Sequence, residues 1–204
     1  MADDSVIRDS APSLLHLLLL AELFVRSSPR PAHHSLCGRF MEMFLQLNSL
    51  ENMSKNLHHL TDNERMIFEH EEHRLDDLPH IQHNPAHVSS LKMNESLSRL
   101  LLYTRSFKLR VDWLKTAKEN VSLSSEATEG AAAHLLQLSN LLNTSLLQMG
   151  EEVPSSRPPP LASVSTAFDV LRFSVEVSER LLVFSDWSKR VLASLQRRSG
   201  CPRH

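Results

Sequence analysis

Four long stretches of this chain repeat apolar residues at helical spacing, and the links between them run long, short, long. Segment A spans about 36–60 and puts Leu36, Phe40, Met43, Phe44, Leu47, Leu50 and Leu57 on one face. Segment B spans about 90–117, with Met93, Leu97, Leu100, Leu101, Thr104, Phe107, Val111 and Leu114. Segment C spans about 126–149, with Leu135, Leu138, Leu142, Leu146 and Met149, and segment D spans about 162–197. As helices they reach roughly 35–50 Å each at ~1.5 Å per residue. No stretch of useful length alternates like a strand. With only 4 Gly in 204 residues, the chain also lacks the turn residues an all-β fold needs.

The links decide the topology. A to B takes about 30 residues, and Pro79 and Pro85 interrupt any continuous helix there. Within it, Thr61-Asp62-Asn63-Glu64 has the form of a capping box and predicts a short loop helix. B to C takes fewer than ten residues, with Ser124 or Ser125 as N-cap and Glu126 in the first turn. C to D holds Pro154, Pro158, Pro159 and Pro160, and an extended stretch of that length covers nearly ~40 Å. Long crossovers on both sides of a short middle link predict an all-α four-helix bundle with up-up-down-down, long-chain topology. That order brings the start of A and the end of D to one end of the bundle. Cys37 and Cys201 then become neighbours and candidates for a bridge; the alternative is one buried thiol and one in a frayed tail.

The N-terminal run from Leu14 to Val25 is too short to span a membrane and matches the core of a signal peptide, expected over 1–28 ahead of a domain over 29–204. Asp3, Asp4 and Asp9 outnumber Arg8 before it, so a buried N-terminal helix of a cytosolic protein is the competing reading. Sequons at Asn52, Asn94, Asn120 and Asn143 favour secretion over chance occurrence in a Ser-rich chain, and Asn120 falls in a predicted loop. A net charge of -2 gives no footprint for nucleic acid.

Segment D carries the interaction chemistry. Its apolar arc includes Phe173, Val177, Leu181, Leu182, Phe184, Val191, Leu192 and Leu195, while Arg172, Glu176, Glu179, Val183, Asp186, Trp187, Arg190 and Arg197 form the remaining strip. An outward Trp187 beside Asp186 and Arg190 has the makeup of an interface hot spot; a covering loop or a stack on Arg190 is the plainer alternative. Phe168 lies at the edge of the strip near the helix start. Segment B has a second stripe, Leu102, Leu109 and Trp113, over which the A–B crossover is expected to pack. His70, His73, His80, His83 and His87 lie in a Pro-interrupted loop without zinc-site spacing, so a solvated loop is expected there. No phosphate loop, nucleophile elbow or catalytic set emerges, and neither an enzyme nor a cofactor is expected.

Several ordered stretches resemble the interleukin-11 branch of the interleukin-6-type cytokines: Leu75-Asp76-Asp77-Leu78-Pro79, Leu100 through Leu114, Pro158-Pro159-Pro160, Ser165-Thr166-Ala167-Phe168 with Arg172, and Asp186-Trp187-Ser188-Lys189-Arg190. The resemblance implies a secreted, monomeric ligand that binds an interleukin-11 receptor alpha chain and recruits the shared signalling receptor glycoprotein 130, activating kinases and transcription factors. It places Asp186, Trp187 and Arg190 against the alpha receptor. Phe168, with Leu75, Leu78 and Pro79 nearby, falls to the signalling receptor, which also contacts the first and third helices. Phe168 stands where the family has Trp, and the near-neutral charge and the cysteine pair mark a divergent member. The competing readings are another interleukin-6-type cytokine and, from a different class, an intracellular helical adaptor.

Overall fold

A computed structural model describes residues 32–68, 75, 78–81, 92–155, 164 and 166–201. Its helices are α1 (Ala32–Ser54), α2 (Asp62–Arg65, continued by a 3-10 turn Met66–Phe68), α3 (Met93–Asn120), α4 (Glu126–Gln148) and α5 (Ala167–Arg198). The fold is all-α, with no strand among the described residues. Contacts divide the chain into Met1–Ser35 and Leu36–His204, and the bundle belongs to the second unit. The expected signal peptide, Pro85, Pro158–Pro160 and His70, His73, His83 and His87 lie outside the described residues. No described helix is long and apolar enough to cross a membrane.

Local chemistry sets the helix ends. α5 starts at Ala167, not 162, because the Thr166 hydroxyl accepts from the Asp169 N–H at 3.1 Å and Asp169 sits in the first turn. α1 stops at Ser54, not 60. The turn that follows, closed by the Asn56 N–H on the Met53 carbonyl at 3.0 Å and the Leu57 N–H on the Ser54 carbonyl at 3.2 Å, brings Leu57 and His58 into buried positions, and His59 at φ 54° redirects the chain after them. Two glycines finish helices from the left-handed region. Gly150 (φ 72°) lets the Glu151 N–H reach the Leu146 carbonyl at 3.1 Å, and Gly200 (φ 64°) lets the Cys201 N–H reach Gln196 at 3.0 Å. The second of these turns brings Cys201 back to Cys37, with the sulfurs bonded at 2.04 Å across a sequence separation of 164.

Cross-helix contacts give the helix directions. From α1 to α5 they pair Cys37 with Cys201, Glu51 with Lys189, and the Ser54 carbonyl with the Ser178 hydroxyl (2.5 Å). From α1 to α4, Arg39 reaches Gln148 and Gln46 meets His134 at 2.7 Å. From α3 to α4, Lys115 pairs with Glu129 at 3.2 Å. From α3 to α5, Tyr103, Phe107 and Trp113 meet Trp187, Phe184 and Phe173. In the three helix pairs with several contacts the numbers rise on one helix and fall on the other, and the short 121–125 link turns α3 back along α4. These pairings are the ones an up-up-down-down order produces.

The periodic positions of all four segments supply the core. Phe40, Met43, Leu47 and Leu50 of α1, Leu97, Leu100, Leu101, Phe107, Val111 and Leu114 of α3, Leu135, Leu138, Leu142 and Leu146 of α4, and Val177, Leu181, Phe184, Val191, Leu192 and Leu195 of α5 are enclosed. Each such side chain contributes about 1.5–3 kcal/mol by leaving water. The Phe107 and Phe184 rings stack at 4.8 Å in the middle of the bundle. Trp113, expected beneath the A–B crossover, meets Phe173 of α5 edge-on at 5.5 Å, with the Arg110 guanidinium over its ring.

Candidate functional site

Two surfaces of α5 combine exposure with chemistry. The first lies toward its C-terminal half. Arg190 pairs with Asp186 at 2.9 Å, one turn away, and both side chains remain open to solvent, Arg190 at 64 %. Leu182 and Val183 are exposed beside them, although the sequence pattern assigns Leu182 to the apolar arc. Against this stretch Pro79, His80, Ile81, Glu179, Arg180 and Val183 form an open recess of about 260 Å³.

Trp187 does not belong to that open face. Only 5 % of it is exposed, and its ring lies 5.4 Å from Tyr103 of α3. The expectation of an outward indole is therefore corrected. Trp187 follows the enclosed Phe184 by three residues and precedes the enclosed Val191 by four, so it flanks the core stripe. An indole on that margin is long enough to lie across the seam onto the next helix. Glu176, also expected in the polar strip, is buried as well. The buried arc is thus wider on this side, and the open strip narrower, than the apolar residues alone indicate.

The second surface gathers around Phe168, in the first turn of α5 and 51 % exposed. Its ring meets Phe68 at 5.2 Å, and the neighbouring Met66 and Ile67 are exposed. The loop helix supplies these residues. The Thr61 N–H donates to Glu64 Oε2 at 2.8 Å, and the Glu64 N–H returns to the Thr61 hydroxyl at 3.4 Å, completing the capping box read in the sequence. The Thr61 N–H first, and then the Thr61 hydroxyl, which also donates to Glu64 Oε2 at 2.8 Å, hold the Glu64 carboxyl below its ordinary pKa. Arg65 approaches Glu179 at 3.9 Å, a second tie to α5.

Leu75 and Leu78 are not at that surface. Both are buried, which corrects their expected place beside Phe168 at a receptor contact. The Leu75 N–H donates to Glu176 Oε1 at 3.1 Å, and Arg180 donates to the Leu75 carbonyl at 2.9 Å while pairing with Glu176 at 2.9 Å. This clamp explains why Glu176 tolerates burial: its charge is met by a guanidinium and a backbone N–H. The segment meets α5 eight or more residues past Phe168, about 12 Å along the helix. Pro79 is half-buried and lines the recess by Val183.

A buried cation anchors the far side of the loop helix. Lys118 of α3 donates to the Leu57 carbonyl and, at 3.2 Å, to that of Ser124, and burial pushes its pKa down to about 8. His58 beside it accepts the Leu60 N–H on Nδ1 at 3.0 Å. Burial first, then the charges of Arg65 and Lys118, holds its pKa below the ordinary histidine value. No group of three or more His, Cys, Asp or Glu that could hold a metal occurs among the described residues.

The four sequons differ in setting. Asn52, Asn94 and Asn143 lie within helices, and Asn120 is the last residue of α3.

The family model for interleukin 11 matches residues 31–199. No curated protein matches the chain at a significant level.

Proposed function

The chain belongs to the interleukin 11 family of helical cytokines, and on that premise we propose that it is a secreted ligand acting by receptor assembly, not catalysis. Its α5 surface at Leu182, Val183, Asp186 and Arg190 binds an interleukin-11 receptor alpha chain. Its surface at Phe168 then engages glycoprotein 130, and clustering of that receptor activates kinases inside the target cell.

The observation that carries this reading is the side-by-side exposure of two aliphatic residues and an ion pair on α5, next to an open recess. Exposed apolar groups cost nothing to desolvate, and a guanidinium within them adds directed hydrogen bonds, a combination common at hot spots. Trp187 acts from beneath, fixing the helix that presents Asp186 and Arg190. Phe168 with Met66 and Ile67 gives a second apolar patch, an aromatic anchor of the kind found at interface centres.

Co-precipitation of the secreted chain with receptor ectodomains tests the proposal. The alpha chain is expected to capture the wild type and to lose at least about tenfold in affinity for Arg190→Glu, the scale of a modest hot spot. Equal capture of both would reject this face as the contact, and no capture of the wild type would reject the receptor.

A further inference from the structure

We infer that Asn120 is the N-glycosylation site of this chain, and that the other three sequons stay unmodified. The inference rests on the secretory reading above, because the modification requires entry into the secretory pathway.

Transfer to a sequon requires the asparagine amide and the hydroxyl two residues on to be presented together on a non-helical backbone. Within a helix, residues i and i+2 point about 200° apart, so an outward asparagine turns its partner serine toward the core. That is the arrangement at three of the four. Ser54, Ser96 and Ser145 are all buried. The Ser145 hydroxyl is spent on the Leu141 carbonyl at 2.8 Å, and Ser54 is bound at both its hydroxyl and its carbonyl. Asn94 donates its amide to Glu151 at 2.9 Å, across the seam where α4 ends.

Asn120 differs on each count. The helix ends there, Ser122 follows at φ 59°, and Asn120 and Ser122 are both exposed. Timing favours the same site. Helical segments relax within about 0.1–1 μs, whereas synthesis adds only ~5–20 residues per second, so helices α1, α3 and α4 compete with modification from the moment they emerge. The 121–125 turn stays accessible afterwards.

In the reaction the Asn120 Nδ2 attacks the anomeric carbon of a lipid-diphosphate-linked oligosaccharide. The carbon–oxygen bond to the diphosphate breaks, a carbon–nitrogen bond forms, one amide proton is released, and the lipid diphosphate departs. The glycan then stands 17 residues beyond Tyr103, about 25 Å along α3 from the Trp187 seam, leaving the Arg190 face clear.

The test is translation of the full chain, with a cleavable leader fused ahead of it, in the presence of microsomes. Protease protection reports lumenal entry, and an N-glycosidase shift reports the glycan. One glycan is expected on the wild type and on the triple variant Asn52→Gln/Asn94→Gln/Asn143→Gln, and none on Asn120→Gln or Ser122→Ala. A protected wild type without a glycan, or a full shift retained by both Asn120→Gln and Ser122→Ala, would overturn the assignment. The unfused chain remaining outside the microsomes bears instead on the secretory reading.

Discussion

The ring of Trp187 lies 5.4 Å from that of Tyr103, tilted by 40°, and closes the seam between α5 and α3. One turn further, Arg190 faces solvent and, among the described residues, pairs with the solvent-open Asp186 of its own helix. Neighbours in sequence are thus divided between the packed seam and the open face proposed as the receptor contact. Trp187→Ala is expected to lower stability by about 3–5 kcal/mol, the range for removing a large enclosed aromatic. Arg190→Ala is expected to stay within ~0.5 kcal/mol of wild type, as surface ion pairs of this kind contribute little. Urea unfolding of the two variants checks the division; equal destabilisation would show that Arg190 is structural.

The patch around Phe168, proposed above as the signalling-receptor contact, contributes little to stability. Its ring touches Phe68 but remains half open, so Phe168→Ala gives up little enclosed area. The expected destabilisation is about 1 kcal/mol or less. Ile67→Asp, on a residue 65 % exposed, is expected to leave the melting temperature nearly unchanged. Both substitutions should preserve alpha-chain binding and sharply reduce signalling in a receptor-bearing cell line. Full signalling from both variants would remove this patch from the assembly.

How far the sequence reveals this protein depends on which force places each residue. Apolar periodicity locates every bundle helix, because burial acts at each turn and the pattern repeats over six or more turns. The Thr61 capping box and the pairing of Cys37 with Cys201 are legible too, one from local hydrogen-bond chemistry and one from the lengths of the links. Residues on the margin of a stripe are harder. Trp187 and Glu176 lie where a helical wheel cannot tell solvent from a neighbouring helix, and Leu182 lies on the opposite margin and is exposed. Leu75 and Leu78 mislead for a related reason. A loop gives no period from which to read burial, and the Glu176–Arg180 clamp that holds them is about 100 residues away in the chain.

The Cys37–Cys201 bridge ties the start of α1 to the turn just past α5, at a sequence separation of 164. Closing a loop of that size removes denatured-state entropy worth about 5 kcal/mol in the chain-entropy picture, at the upper end of measured effects. The double variant Cys37→Ser/Cys201→Ser should therefore unfold at distinctly lower denaturant than wild type. Reduction of the wild type should give the same midpoint. A midpoint unchanged by either treatment would mean that the packed helix ends, not the bridge, hold this end of the bundle.

At the opposite end, Lys118 and His58 make stability depend on pH in a defined direction. Lys118 has a pKa of about 8 in the folded chain against about 10.4 when unfolded, so between those values the unfolded state holds more protons. Raising the pH through that window should stabilise the fold. His58 also titrates lower in the fold than an ordinary histidine, at 6.5, so acidification through that value protonates the unfolded state first and lowers stability. Protonation also places a hydrogen on Nδ1, where the Leu60 N–H now donates, and adds a charge facing Lys118, Arg65 and His59, with Asp62 opposing them. Lys118→Met should flatten the alkaline rise while losing stability near neutrality, because the Leu57 and Ser124 carbonyls lose their donor. His58→Asn keeps an acceptor for Leu60 without a titrating group and should blunt the acid loss. Melting curves of wild type and both variants from acid to alkaline pH decide the matter. Parallel pH profiles for all three would show that neither residue sets the dependence.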